Sequence, residues 1–289
     1  MYPLAAQITD IADRLAQIDG VVAVALGGSR ARGAARPDSD VDLGIYYDPD
    51  RRPSVAALNQ LAQELDDRHP TDAISTFGEW GPWINGGGWL VIDGVHVDWL
   101  FRDLRRVAWA IAECRAGRPT SDYQIGHPHG FHSHIYMGEV HHARALRDFS
   151  GALAQLQALT SEYPPLLKRV LIQKFLFEAE FSLVISRKAP QRGDVAYLAG
   201  CLFRCVAALV QVLYALNERY CLNEKGAVAA IDMFPLRPEG FGRQVATVLG
   251  ELGTDAAECG ASIDRMAELV RAVRALCADL APSADWKLP

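Results

Sequence analysis

The sequence predicts an α+β protein, with a mixed β-sheet flanked by helices in the N-terminal half and an all-α helical bundle in the C-terminal half. The first observation is Val21–Leu26, a short apolar run rich in β-branched residues that is typical of a buried strand. The second is the alternation of apolar and polar residues over 41–47, which predicts another strand. The third is the change after residue 150, where strand patterns end and Leu, Ala and Val recur at helical spacing.

The other elements of the N-terminal half follow from apolar spacing and turn residues. Apolar positions three and four residues apart predict a helix over 3–19, before the first strand. The Asp93-Gly94 turn joins two apolar runs, which is a strong signal for a β-hairpin over 89–101. The same criteria, with Ser54 as an N-cap, predict helices over 54–68 and 102–116 and a short strand over 73–77.

The C-terminal half contains only helical patterns. The helix that Pro164 and Pro165 open is apolar nearly all round, which is typical of a central helix in a bundle. Asp194 is a suitable N-cap for the next long helix. In chain order, the predicted helices cover 153–159, 165–188, 194–217, 239–251 and 255–280.

The composition excludes several classes of protein. Of the 289 residues, 50% are hydrophobic and 22% are charged, and the formal net charge of −6 gives no basic surface for nucleic acid, so we expect no nucleic-acid partner. We expect neither a signal peptide nor an uncharged stretch long enough to span a membrane. Six scattered cysteines form no C-x-x-C pair, so we expect reduced thiols in a cytoplasmic protein. We also expect a monomer or a homodimer.

The turn after the first strand carries the clearest functional pattern. Gly27 and Gly28 have no Cβ, so a bulky anion can approach the backbone closely. Ser29 adds a hydroxyl where a helix can begin, so that free N–H groups would face such an anion. Arg30 adds positive charge. The turn is therefore a candidate phosphate-binding site.

Two aspartates begin the next strand. Asp40 and Asp42 are two residues apart, so their carboxylates share one face of the strand. Two like charges at that separation are costly unless a cation lies between them, and oxygen ligands suit Mg²⁺. Asp98 lies in an otherwise apolar strand, where an aspartate without a partner is disfavoured, so it is either a functional residue or an edge-strand contact with solvent.

Gly27-Gly28-Ser29-Arg30 followed by Ser39-Asp40-Val41-Asp42 resembles the signature of the DNA polymerase β-type nucleotidyltransferase superfamily, and especially its small-molecule branch of aminoglycoside and lincosamide nucleotidyltransferases. The resemblance implies transfer of a nucleoside monophosphate, with ATP as the expected donor, to a hydroxyl of a small molecule such as an antibiotic. It implies two Mg²⁺ or Mn²⁺ ions on Asp40, Asp42 and Asp98, and a nucleoside triphosphate held by Gly27, Gly28, Ser29, Arg30 and Ser39.

The resemblance also implies that the helical half shapes the acceptor site and, in some members, supplies a general base. Glu178 and Glu180 are the candidates, because each is charged within an apolar helix. The alternative is an i, i+4 pair between Lys174 and Glu178. Lys225, in a polar cluster at a helix end, either reaches the triphosphate or is an ordinary surface lysine.

A histidine-rich segment over 119–150 separates the predicted first domain, 1–118, from the helical domain, 151–289. Six of the eight histidines lie between His127 and His142. Such tracts can bind Zn²⁺ or Ni²⁺, but the spacing matches no recognised zinc site. We favour a loop over the cleft in which one or two imidazoles contact phosphate or acceptor.

Three other functions remain open at this point. The chain could transfer nucleotides to a protein or RNA, bind nucleotides without catalysis, or be a histidine metal protein. The acidic balance weighs against RNA. The presence of all three carboxylates weighs against a silent site.

Overall fold

A computed structural model describes residues 4–280. The chain forms two compact units. The first contains the described residues up to Cys114 together with Thr120–Gly126 and Gly130–Glu162. The second contains Arg115–Pro119, His127–His129 and the described residues from Tyr163 onward. The predicted fold class is confirmed, because a mixed sheet flanked by helices precedes a mostly helical region.

In chain order, the elements of the first unit are α1 (Leu4–Ala16), β1 (Val21–Leu26), α2 (Gly28–Ala31), β2 (Val41–Tyr47), α3 (Val55–Leu65), β3 (Gly87–Ile92), β4 (Val95–Asp103), α4 (Leu104–Arg115), β5 (Ser121–Asp122), β6 (Phe131–His132), α5 (Ile135–His142), β7 (Arg144–Asp148) and α6 (Ala152–Thr160). Five of these strands form one sheet with the order β3-β4-β2-β1-β7. Strand β2 runs parallel to β4, and the other neighbouring pairs are antiparallel.

The two faces of the sheet have different roles. Alternate residues of β2 and β4, such as Leu43 and Trp99, are fully buried in a core shared with α1 and α3. Burying one large aliphatic side chain in such a core stabilises the fold by roughly 1.5–3 kcal/mol. The opposite face carries Asp42 and Asp98. The alternation of the strands therefore separates a packing face from a polar face.

Helix α5 covers the polar face near the carboxyl end of β4. Arg102 of β4 is buried and donates hydrogen bonds to the carboxylate of Glu139 on α5. The guanidinium also lies over the ring of Tyr136, with its Cζ 5.9 Å from the ring centroid. Because a charge buried without its partner is expensive, this ion pair fixes α5 on the sheet.

The segment 119–150 differs from the loop expected between two domains. Most of it belongs to the first unit, where it forms α5 and the edge strand β7. In β7, Arg144–Asp148 pairs with β1, although its sequence RALRD has no strand-like alternation. Charged side chains are common on edge strands, which must resist pairing with other chains, and this explains why the pattern is missing.

Other element predictions differ in smaller ways. The strand expected over 73–77 is reduced to an isolated bridge between Ile74 and Gly88. The hairpin at Asp93-Gly94 is present between β3 and β4, and Ser54 caps α3 by accepting a hydrogen bond from the Ala57 N–H.

The second unit is a helical bundle in which α7 packs against α8 and α11 packs against both. Asp194 caps α8 as predicted, because its carboxylate accepts a hydrogen bond from the Tyr197 N–H at 3.0 Å. The helices of this unit are α7 (Pro165–Ser186), α8 (Val195–Leu216), α9 (Ala227–Ile231), α10 (Phe241–Gly250) and α11 (Ala256–Leu276).

Helix α8 is long and apolar enough to cross a membrane by length and composition alone. The expectation from the sequence concerned uncharged stretches, and α8 contains Arg204. Most of the helix is buried by the rest of the protein. Buried core helices often have the same length and apolar composition as membrane-spanning helices.

Asp66 joins the end of α3 to β3. Its fully buried carboxylate accepts hydrogen bonds from the Arg68 N–H at 2.8 Å, the Arg68 Nε at 2.9 Å and the Val91 N–H at 3.0 Å. The hydrogen-bonded Arg68 guanidinium holds the pKa of the Asp66 carboxyl well below its usual range.

We predict that Asp66→Asn lowers the free energy of unfolding by about 1–3 kcal/mol at pH 7, because buried donors lose a charged acceptor. The folded-state pKa lies below the unfolded value of about 4, so the stabilisation is complete above that pH and is lost as pH falls below it. Urea unfolding from pH 7 to pH 3 measures the difference. The exposed Asp72→Asn variant is the control, and a wild-type–variant difference independent of pH would contradict the assignment.

Candidate functional site

Two of the predicted carboxylates lie side by side. In the parallel ladder between β2 and β4, Asp42 pairs directly with Asp98. Paired residues of neighbouring strands point to the same face, and the strands are about 4.8 Å apart. Both aspartates are half-buried, whereas the residues next to them in sequence, such as Val41 and Trp99, are buried in the core. The sheet thus presents two adjacent carboxylates on its polar face.

The glycine turn lies directly against Asp42. The Gly27 N–H donates a hydrogen bond to the Asp42 carbonyl at 2.8 Å. Gly28 has φ +60°, and a Cβ at this position would lie 1.8 Å from Asp42 Oδ2. Any other residue would therefore be strained and would displace the carboxylate. Ser29 follows in α2, a single helical turn whose first N–H groups have no partner within the helix.

Arg30 holds the chain just before β2. Its Nε donates to the carbonyls of Ser39 and Asp40 at 3.1 and 3.0 Å, and its Nη2 donates to the Ser39 carbonyl. The Ser39 hydroxyl accepts a hydrogen bond from the Arg36 N–H at 2.9 Å. Arg30 thus fixes the backbone that carries Asp40, and the phosphate contacts expected for Arg30 and Ser39 stay predictions.

Asp40 is exposed and precedes the first residue of β2. Within residues 4–280, no group of three or more His, Cys, Asp or Glu side chains is arranged to hold a metal ion. The predicted three-carboxylate site for two ions is therefore not preformed in the described part of the chain. Magnesium commonly takes one or two carboxylates and completes its shell with water and substrate phosphates, and Asp42 with Asp98 fits that donor set.

Glu178 and Glu180 are both engaged within the second unit. Glu178 of α7 accepts a hydrogen bond from Arg204 of α8, and Glu180 accepts one from Arg274 of α11. Arg204 forms an ion pair with Glu178, and the i, i+4 pair between Lys174 and Glu178 stays a prediction. The general-base role of either glutamate stays a prediction.

Lys225 is exposed in the second unit, and its N–H donates to Asn223 Oδ1 at 3.0 Å. The neighbouring Glu224 organises part of the histidine-rich segment. Its Oε1 lies 3.3 Å from Nδ1 of His127 and accepts a hydrogen bond from the His129 N–H. The triphosphate contact expected for Lys225 stays a prediction.

The six histidines of the segment are divided between the two units. His127 and His129 belong to the second unit, and the other four histidines of the segment belong to the first. In the first unit, His132 Nδ1 lies 2.9 Å from the Ser121 hydroxyl, and His141 Nδ1 lies 2.8 Å from the Thr160 carbonyl. Burial, with the nearby charges of His141 and Arg32, lowers the pKa of His142 to about 4. The hydrogen bonds of His132 and His141 are local, and the contact with phosphate or acceptor expected for this segment stays a prediction.

Sequence reasoning gave no role to Trp89. This residue of β3 pairs with Asp98, and its side chain is 63% exposed although its neighbours Gly88 and Leu90 are buried. The burial alternation of β3 assigns Trp89 to the polar face. The sequence shows only that Trp89 is an apolar residue in a strand. The face of the sheet on which its side chain lies depends on the register between β3 and β4.

We predict that Arg30→Ala accelerates amide exchange of residues 39–42 about tenfold, because the carbonyls of Ser39 and Asp40 lose a charged donor and the backbone before β2 loosens. Hydrogen–deuterium exchange read by mass spectrometry measures this. Arg36→Ala is the matched control, since Arg36 contributes its backbone N–H rather than its side chain. Equal exchange in the two variants would contradict the tethering role.

Two segments of the chain match known family models. Residues 8–82 match the family model described as nucleotidyltransferase domain, and residues 133–225 match a domain of unknown function, DUF4037. A crystal structure of a nucleotidyltransferase-like protein from Exiguobacterium sibiricum aligns with 95% of this chain and 78% of its own, at 9% identity and a TM-score of 0.45. Among curated proteins, none matches.

The first of these matches contains the glycine turn, Arg30 and Asp42, and Asp98 follows it in the same sheet. Over residues 8–82 the chain is therefore similar to a nucleotidyltransferase domain.

Proposed function

We propose that the protein is a metal-dependent nucleotidyltransferase that moves a nucleoside monophosphate, AMP from ATP, onto a hydroxyl of a small molecule and releases pyrophosphate. The contact of Gly28 with Asp42, beside Asp98 on the same face, carries the proposal. A backbone turn without side chains and a pair of carboxylates are what phosphate groups and their counter-ions require. An antibiotic such as an aminoglycoside is the acceptor suggested by the sequence resemblance.

Asp42 and Asp98, with Asp40 two residues before Asp42, would hold Mg²⁺ or Mn²⁺. A bound ion of this kind neutralises phosphate charge and lowers the pKa of an acceptor hydroxyl. The crowding of two carboxylates supports this assignment, since like charges that close favour a bound cation.

The residues of the turn would bind and orient the triphosphate. The backbone N–H groups of Gly28 and Ser29 and the Ser29 hydroxyl would donate hydrogen bonds to the β- and γ-phosphates. In the transfer, the acceptor oxygen bonds to the α-phosphorus, the bond to the bridging oxygen breaks, and pyrophosphate leaves with those electrons. The hydroxyl proton passes to a carboxylate, Asp98 or a glutamate of the helical unit.

The cellular setting is part of the proposal. Within the described residues all six cysteines are buried and none forms a disulfide, which supports a reducing location such as the cytoplasm. Monomer and homodimer are both compatible with this function.

We predict that Asp42→Asn and Asp98→Asn each lower nucleotide transfer at least a thousandfold, about 4 kcal/mol of transition-state stabilisation. Folding should be retained, because removing one of two adjacent carboxylates relieves repulsion. The assay incubates α-labelled ATP with Mg²⁺ and a panel of hydroxyl compounds and measures labelled product and pyrophosphate. Asp72→Asn is the control. Near-normal turnover in either site variant would contradict the assignment.

The same assay separates the acceptor classes. Label that enters protein or RNA from a cell lysate, but no small molecule, would replace the small-molecule acceptor with a macromolecule. A wild-type protein that binds ATP and releases no pyrophosphate with any acceptor would be a silent nucleotide-binding protein.

We also predict that Gly28→Ala abolishes transfer, because the new Cβ would overlap Asp42 Oδ2. Gly33→Ala is a matched control. Gly33 has a similar φ of +69°, but a Cβ there would meet nothing within 4 Å. Both variants carry the backbone strain of a left-handed conformation, so the difference in turnover reports the overlap with the carboxylate alone. Equal activity of the two variants would contradict the proposed role of the Gly28–Asp42 contact.

A further inference from the structure

A stacked pair of tryptophans stands beside the carboxylates. The rings of Trp80 and Trp89 lie 4.3 Å apart between centroids at an interplanar angle of 13°. Trp89 on β3 pairs with Asp98 on β4, which pairs with Asp42 on β2. The three side chains therefore form one row across the polar face, with the glycine turn at the other end against Asp42.

The pair is fixed in place although it is open to solvent. The Trp80 carbonyl accepts a hydrogen bond at 2.7 Å from Nε2 of the buried Gln124. The Trp89 carbonyl accepts one at 3.0 Å from Arg68 Nη2. An indole that is 63% exposed on a rigid strand leaves a large apolar surface uncovered. Such a surface next to polar groups is typical of a ligand-binding site.

The order of the groups along the row indicates which substrate lies next to Trp89. The β- and γ-phosphates belong to the glycine turn in the proposed function, and transfer requires the attacking oxygen, the phosphorus and the leaving oxygen to be in line. The acceptor must therefore approach from the side opposite the turn. Asp98 and then Trp89 lie on that side of the row. Trp89 is two strands from Asp42, which corresponds to about 10 Å.

We propose that Trp89, stacked on Trp80, is the acceptor-binding surface, and that the acceptor is a hydroxyl compound with a flat apolar ring face. This inference rests on the proposed function and narrows its substrate class. The nucleobase is the competing occupant. The nucleoside is bonded to the α-phosphorus through an oxygen that is neither the attacking nor the leaving oxygen. The base therefore lies off the line of attack, and we do not expect it along this row of side chains.

The test compares two glucosides with the same sugar hydroxyls, phenyl β-D-glucoside and methyl β-D-glucoside. Binding to the full chain, in the presence of Mg²⁺ and tripolyphosphate, is followed by the ¹⁵N-indole resonances. The wild type should bind the phenyl compound at least tenfold tighter than the methyl compound. Trp89→Ala should lose that preference, whereas Trp109→Ala, which removes another exposed tryptophan of the first unit, should keep it.

Magnesium–ATP binding to the same variants separates this inference from the proposed function. The Trp89→Ala affinity for Mg–ATP should stay within twofold of the wild type. Equal binding of both glucosides to the wild type, or an undiminished preference in Trp89→Ala, would overturn the inference alone. Displacement of the phenyl glucoside by ATP but not by tripolyphosphate would assign the surface to the base instead. Failure of the wild type to bind Mg–ATP would overturn the proposed function, regardless of the affinities measured for the two glucosides.

Discussion

The contact between the Gly28 backbone and the Asp42 carboxylate is the constraint on which the site depends. This contact brings the two glycines of the turn directly against a charged carboxylate oxygen. The hydrogen bond from the Gly27 N–H to the Asp42 carbonyl fixes the position of the turn relative to β2. The parallel ladder then sets Asp98 beside Asp42. Because all three positions belong to paired strands or the turn between them, the site is held by the same hydrogen bonds that hold the sheet.

The rest of the first unit keeps one face of that sheet available. Helices α1 and α3 bury the apolar face, and α5 covers part of the polar face through the Arg102–Glu139 ion pair. The end that bears Asp42, Asp98 and Trp89 stays accessible, as the exposure of Trp89 shows. A domain of this kind separates stability from chemistry: core residues hold the strands, and their alternate neighbours face the substrate.

Local patterns were enough for β1, β2, the hairpin and the Asp194 cap, because their signals lie within a few residues. The pairing of Asp42 with Asp98 was expected from the sequence resemblance rather than from spacing. The hydrogen bonds from the Arg30 guanidinium to carbonyls nine and ten residues ahead could not be predicted, because a sequence does not show contacts of that kind. The strand β7 was missed because its charges suit an edge, and the roles of Trp89 and Arg204 depend on partners distant in sequence.

Electron paramagnetic resonance of Mn²⁺, with and without α,β-methylene-ATP, tests the central claim most directly. Two carboxylates supply only part of a coordination shell, so the nucleotide should complete it. The account predicts weak Mn²⁺ binding to the protein alone, at least tenfold tighter binding with the analogue, and loss of that gain in Asp98→Asn. An Mn²⁺ affinity that the analogue leaves unchanged, or a gain that survives in Asp98→Asn, would contradict it.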